Sequence, residues 1–171
     1  ASYDDAEVRT AVLNALAMRG YHTPGHEVHS AHQQIKAEAA QAAWALAAIH
    51  DLGSDDDTAM LTSALQGDVK RARDRIFFLL SFFYDPRSIM RARDAINFGS
   101  GAQRAYGLDL IDTLLIKELK AFILPLADEL AAADRLKRLS GLFPQAVLTR
   151  DQRLHDVIDH APSVWTKACA L

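Results

Sequence analysis

Residues 61–83, which read LTSALQGDVKRARDRIFFLLSFF, carry the clearest structural signal in this chain of 171 residues. Apolar side chains recur there every three or four positions, and that spacing places them on one face of an α-helix. The charged residues of the segment fall mainly on the other faces. The stretch therefore predicts one long amphipathic helix with an apolar face made of Leu61, Leu65, Val69, Ala72, Ile76, Leu79, Leu80 and Phe83.

Helical periodicity continues towards the N-terminus. It predicts one helix from a cap at Asp4 or Asp5 to Gly20, and another from about residue 28 to Leu52. Residues 54–57, which read Ser-Asp-Asp-Asp, supply several capping candidates for the long helix, and a helix N-terminus favours their negative charge.

The C-terminal half is also helical in pattern. No segment keeps the two-residue period of a strand, so we predict an all-α fold. Pro125 is expected to kink or divide one of the helices. The predicted helices begin near Asp85-Pro86, Gln103, Lys117, Thr149 and Pro162.

Three helix starts share one pattern, in which a turn or capping residue precedes a long side chain and then a small alanine. They lie at residues 5–11, 100–105 and 161–168. Such recurrence is typical of stacked helical hairpins, each covering the apolar face of its neighbour. We therefore predict a single domain over residues 1–171, an α-solenoid of antiparallel helix pairs whose concave face binds a partner.

Composition and charge exclude several function classes. The chain has 19 Lys and Arg against 22 Asp and Glu, and the basic residues are interspersed with acids, which argues against a nucleic-acid surface. Its one cysteine, Cys169, excludes an internal disulfide. No apolar run approaches the roughly 20 residues of a membrane helix. The chain lacks an initiator methionine and a signal-peptide pattern, so we expect a fragment of a longer protein.

Four histidines near the second helix form the densest group of ligand-type side chains. They are His22, His26, His29 and His32. Imidazoles bind zinc where their lone pairs converge, which predicts a metal-binding or small-ligand sensory site as the alternative function. Their spacing matches no established metal motif, and solvated polar positions at a helix entry explain them better.

A second polar group lies in the predicted short helix after Thr149, and we interpret it as an exposed helix face. It comprises His155, Asp156, Asp159 and His160.

No phosphate loop, dinucleotide fingerprint or serine elbow occurs, so we predict no enzyme activity, no catalytic residues and no cofactor.

Arginines on consecutive predicted helices supply the candidate partner-binding residues. Guanidinium groups hold carboxylates or phosphates by paired hydrogen bonds, so a shared groove would bind an acidic peptide or a phosphate. The same arginines would equally form ion pairs with the interleaved aspartates between repeats. The candidates for partner binding are Arg71, Arg75, Arg91 and Arg104.

Three stretches resemble a known class of repeat. Residues 84–89, 104–115 and 124–128 are similar to the HEAT-like, PBS-lyase-type repeat regions attached to bacterial membrane proteins of the ATP:ADP antiporter and major facilitator type. The resemblance extends from about Asp4 to the end of the chain. One departure is Gly107, which stands where that family more often has alanine.

The resemblance implies a function as well as a fold. It implies a cytoplasmic regulatory or scaffolding region at the inner face of a bacterial inner membrane, beside the membrane domain of a larger transporter-like protein. The expected partner is a second protein or a neighbouring domain of the same chain. The resemblance brings no catalytic residues with it.

Overall fold

The regular structure is entirely helical in the part of the chain that the structure describes. A computed structural model describes residues 6–53 and 55–171, and within these ranges it has nine α-helices and no strand. The helices are α1 Ala6–Met18, α2 Val28–Leu52, α3 Ala59–Leu80, α4 Pro86–Phe98, α5 Gly101–Leu114, α6 Lys117–Ala127, α7 Ala132–Leu139, α8 Arg150–His160 and α9 Val164–Ala168. The predicted all-α fold is confirmed.

The longest helices, α2 and α3, form an antiparallel hairpin at the centre of the fold. A short 3₁₀ turn at Asp56–Thr58 leads into α3, and the two helices pack along their length. Fully buried alanines on α2 allow this close approach, among them Ala39, Ala42 and Ala43. The apolar face predicted over residues 61–83 is buried from Leu61 to Leu80, whereas its last member, Phe83, lies beyond the end of α3 and is half-buried.

The next two helices, α4 and α5, form a second close pair. A hydrogen-bonded capping box starts α5, in which Ser100 accepts from the backbone of Gln103 and Gln103 accepts from the backbone of Ser100. A Cβ atom at Gly107 would lie only 3.0 Å from the carbonyl oxygen of Ala92 on α4. The absent side chain at Gly107 therefore lets the two helices approach this closely.

The last helices return to the first hairpin. Both α7 and α8 pack against α2, and α9 packs against α3. In a solenoid each repeat contacts only its neighbours in sequence. Consecutive helices from α2 to α7 do pack in chain order. However, the contacts of α7 and α8 with α2 and of α9 with α3 join helices that are distant in sequence. The predicted solenoid of antiparallel pairs is therefore not confirmed.

Helix capping agrees with the sequence at some starts and differs at others. Asp85 accepts from the backbone N–H of Ser88, and Thr149 caps α8 through a capping box. The predicted capping by Asp55, Asp56 or Asp57 is wrong, because no side-chain hydrogen bond caps the 3₁₀ turn or α3. The candidate Ser54 lies outside the described residues. Asp55 and Asp57 pair instead with Arg150 of α8. The caps predicted at Asp4 or Asp5 lie outside the described residues.

Pro125 lies two residues before the end of α6, and α7 follows as a separate helix. The helical segment is therefore divided near Pro125, as predicted. Across residues 6–53 and 55–171, each helix is too short or too polar to cross a bilayer.

Candidate anion-binding site

Three arginines from three helices interact beside the central hairpin. They are Arg73 of α3, Arg104 of α5 and Arg135 of α7. Burial lowers the pKa of Arg73, the carboxylate of Asp74 opposes this change, and the positive charges of Arg135 and Arg104 lower the pKa further. Burial also lowers the pKa of Arg135, against the opposing charge of Asp128. The fold therefore holds like charges together at an energetic cost.

Two of these arginines border a partly enclosed cavity of about 380 Å³ between α2, α3 and α7. We call it the arginine cavity. Apolar side chains of α2, α3 and the α6–α7 connection contribute to its lining, and the polar lining is mainly cationic. The lining residues are Leu46, Ile49, Gln66, Val69, Lys70, Arg73, Leu130, Ala132 and Arg135.

Hydrogen bonds that the cavity arginines donate to α4 and to the α6–α7 connection orient their side chains. Arg73 donates from Nη2 to Oδ1 of Asn97 at 2.5 Å, and Asn97 in turn donates from Nδ2 to Oδ1 of Asp74 at 2.8 Å. Arg135 donates from Nε to the carbonyl oxygen of Leu130 at 2.8 Å. These bonds restrict the guanidinium groups before any ligand arrives, which reduces the entropy cost of binding.

Two buried donors in the cluster have no acceptor. The Nε–H groups of Arg73 and Arg104 are inaccessible to solvent and have no hydrogen-bond partner among the described residues. Arg104 uses its other nitrogens, donating to the carbonyl oxygen of Gly99 at 3.2 Å and pairing with Glu129. A buried donor without an acceptor costs free energy, and neither Nε–H group is accessible to an incoming ligand in this arrangement.

Arg75, one of the predicted partner-binding residues, has a different role. Its side chain is buried and donates to Oε2 of Glu38 on α2 from Nε at 2.8 Å, with Nη2 lying 2.7 Å from the same oxygen. It also donates from Nη1 to Oγ1 of Thr10 at 3.1 Å. The prediction for Arg75 is corrected, because these contacts tie α1, α2 and α3 together and leave no surface for a partner.

The other three predicted arginines do not share one groove. Arg71 lies on α3 beside a surface groove against α1 and donates to Oδ1 of the buried Asp68 at 2.6 Å. Arg91 is exposed on α4 and does not line the arginine cavity. Of the four, Arg104 alone joins the cluster around Arg73.

A second charged network fastens α8 to α2 and was not predicted from the sequence. Arg153, which is 2% exposed, donates from Nε and Nη2 to Oδ2 of Asp51 at 3.0 and 2.6 Å and from Nη1 to Oδ2 of Asp156 at 2.7 Å. Asp156 also accepts from the indole N–H of Trp44 at 2.8 Å. The interpretation of Asp156 as part of an exposed face is therefore wrong, because it is half-buried and bridges two helices.

This network makes stability depend on pH through Asp51. Burial alone would raise the pKa of Asp51, but hydrogen bonds from Arg153, the backbone N–H of Leu148 and His50 lower the pKa below its ordinary value of 3.8. The stabilisation from a lowered carboxyl pKa is complete above the unfolded pKa and is lost as the pH falls through the folded pKa. We expect the free energy of unfolding to fall below about pH 4 through this group.

Urea denaturation between pH 2 and pH 7 tests that expectation. The stability difference between the wild-type protein and the Asp51→Asn variant should narrow steadily as the pH falls below the ordinary pKa of Asp51. Asp151→Asn, which removes an exposed carboxylate from α8, is the control. A constant difference between wild type and Asp51→Asn over the whole range would contradict the prediction.

The histidine group does not form a metal centre within the described part of the chain. No set of three or more His, Cys, Asp or Glu side chains there is arranged to hold a metal ion. His22 and His29 are exposed, and the ring of His32 packs 5.4 Å from that of Phe83. The side chain of His26 lies outside the described residues, so the four-histidine site stays a prediction.

In comparisons with known proteins, no family model, curated protein or solved structure matches this chain. The resemblance to HEAT-like repeats therefore stays a prediction.

Proposed function

We propose that this chain is a non-catalytic binding module whose arginine cavity receives an acidic group of a protein partner. The observation that carries the proposal is the pair of guanidinium groups, Arg73 and Arg135, that line one partly enclosed cavity together with Lys70. A carboxylate with several oxygen lone pairs is the kind of group that accepts from such donors.

The energetics favour an anion at this position. Burial and the like charges of Arg135 and Arg104 lower the pKa of Arg73, and a carboxylate in the cavity would favour its charged form. Each hydrogen bond to a charged group contributes roughly 1.5–3 kcal/mol. The nearby carboxylates satisfy only part of this demand, since Asp74 accepts from Asn97 and Glu129 pairs with Arg104 at the more exposed side of the cluster.

The wider context belongs to the same proposal. We infer a regulatory or scaffolding role in a larger, transporter-like protein at the cytoplasmic face of a membrane, as the HEAT-like resemblance implies. The consecutive packing of α2 through α7 supports a HEAT-like arrangement of that part of the chain. The partner is then a second protein or a neighbouring domain.

A short acidic peptide tests the proposed binding. We expect fluorescein-labelled acetyl-Gly-Glu-Ala-Glu-Gly-amide to bind the protein at low ionic strength, measured by fluorescence anisotropy, and its lysine counterpart not to bind. The Arg73→Gln/Arg135→Gln variant should bind the acidic peptide about 100-fold more weakly, because two charge-assisted hydrogen bonds are lost. Its thermal stability should change little, because the loss of the hydrogen bonds to Asn97 and to the Leu130 carbonyl oxygen opposes the relief of charge repulsion.

The matched control removes two positive charges elsewhere. In Arg91→Gln/Lys137→Gln both altered side chains are exposed on α4 and α7, and neither lines the cavity. This variant should bind the peptide within about threefold of wild type, as expected for screened surface charges. Equal losses in the two double variants, or no binding by wild type, would reject the arginine cavity as the site.

A further inference from the structure

The arginine cavity has more room, and a different lining, than a carboxylate alone requires. Its volume of about 380 Å³ corresponds to about a dozen water molecules, at roughly 30 Å³ for each water in the liquid. The buried Leu46 and Val69 and the half-buried Ile49 line it together with the cations. An acidic group by itself would leave the apolar part of the lining without a contact.

The rim of the cavity adds further apolar surface. Leu130 and Ala132 line the side formed by the α6–α7 connection and the start of α7. Nearby, the ring of Phe98 is 75% exposed, and the Nζ atom of Lys70 lies 5.9 Å from its centroid. Cationic and apolar groups are therefore interleaved around a single opening.

We infer that the arginine cavity recognises a peptide segment in which a carboxylate side chain adjoins a large apolar side chain such as leucine. This inference rests on the proposed function and specifies its ligand. The carboxylate lies against Arg73 and Arg135, and the apolar side chain covers Leu46, Ile49 and Val69. Charge complementarity stabilises the contact of the carboxylate, and removal of apolar surface from water stabilises the contact of the apolar side chain.

Two peptides of equal charge test the inference. Acetyl-Gly-Glu-Leu-Glu-Gly-amide should bind wild-type protein roughly 10- to 100-fold more tightly than the alanine peptide described above, the effect of burying one leucine side chain. Isothermal titration should also give a more negative heat-capacity change for the leucine peptide, which marks apolar burial.

A variant that fills the apolar part of the cavity separates the two contributions. Ala132→Leu adds apolar volume to the lining without changing charge, so it should reduce the preference for the leucine peptide to within about threefold while the alanine peptide still binds. The control Ala133→Leu changes the next residue of α7, which is exposed and does not line the cavity, and it should keep the full preference.

The outcomes distinguish this inference from the proposed function. Equal affinity of wild type for the two peptides, with both lost in Arg73→Gln/Arg135→Gln, would overturn the inference and leave the anion site intact. A preference for leucine that persists in Ala132→Leu would place the apolar contact elsewhere and also overturn it. Absence of binding by either peptide would overturn the proposed function itself.

Discussion

Replacing Arg153 with alanine is expected to lower the free energy of unfolding by about 3–5 kcal/mol, the usual cost of removing one partner from a buried ion pair. The guanidinium is 2% exposed and donates two hydrogen bonds to Asp51 and one to Asp156. Without it, Asp51 keeps a buried charge with few partners. Because α8 is held to α2 through these bonds, we expect the C-terminal helices to lose order first.

Chemical denaturation and hydrogen exchange measure this effect. Urea unfolding gives the stability loss, and faster exchange confined to α8 and α9 would show local release from α2. The control is Arg150→Ala, one turn earlier on the same helix, where an exposed arginine pairs with Asp55 and Asp57. Exposed pairs contribute about 0–1 kcal/mol, so Arg150→Ala should cost little. Similar losses in the two variants would contradict this account.

Replacing Arg75 with alanine is expected to cost about as much, again roughly 3–5 kcal/mol. Arg75 is 1% exposed and pairs with Glu38, which is 5% exposed, so its removal leaves a carboxylate in the core with only a distant partner. The Nε atom of Arg9 lies 3.8 Å from the other oxygen of Glu38, and the Arg9 side chain as a whole is more exposed than that of Arg75. Arg9→Ala is therefore the control, with an expected loss below about 1 kcal/mol.

A compensating double variant sharpens this second prediction. Replacing both partners with apolar residues, as in Glu38→Leu/Arg75→Met, removes the buried charges together, and such replacements are often neutral or stabilising. Urea denaturation should therefore show the double variant to be more stable than Arg75→Ala. If the double variant were as unstable as Arg75→Ala, the loss would come from packing, and an unpaired Glu38 would not explain it.

Peptide binding at the arginine cavity should survive in every variant of Arg75 that folds, since Arg75 does not line the cavity.

The behaviour of the arginines shows why sequence reasoning found only part of the candidate site. Arg71 and Arg75 lie four residues apart, so the helical period correctly puts them on one side of α3, but it does not say what covers that side. Here α1 and α2 supply Thr10 and Glu38, and Arg75 becomes a core residue. Arg73 points elsewhere and meets Arg104, a residue that the sequence did identify.

The missing members of the site carried little signal in the sequence. Arg135 comes 62 positions after Arg73, and nothing in the local pattern around it differs from an ordinary charged helix face. Arg153 and Asp51 are 102 positions apart and are joined by hydrogen bonds. Contacts of this kind depend on how helices fold back on one another, which periodicity does not encode.

The sequence by itself determined the helices, most of their ends, and the faces that are buried. The spacing of apolar residues, the caps at Asp85 and Thr149, and the break near Pro125 are local properties of the chain, so local physics was sufficient to read them. The return of α7, α8 and α9 onto the α2–α3 hairpin was decided by the tertiary structure alone. The return depends on many weak contacts between segments that are distant in sequence. The same tertiary contacts determine which arginines are buried and which line the cavity.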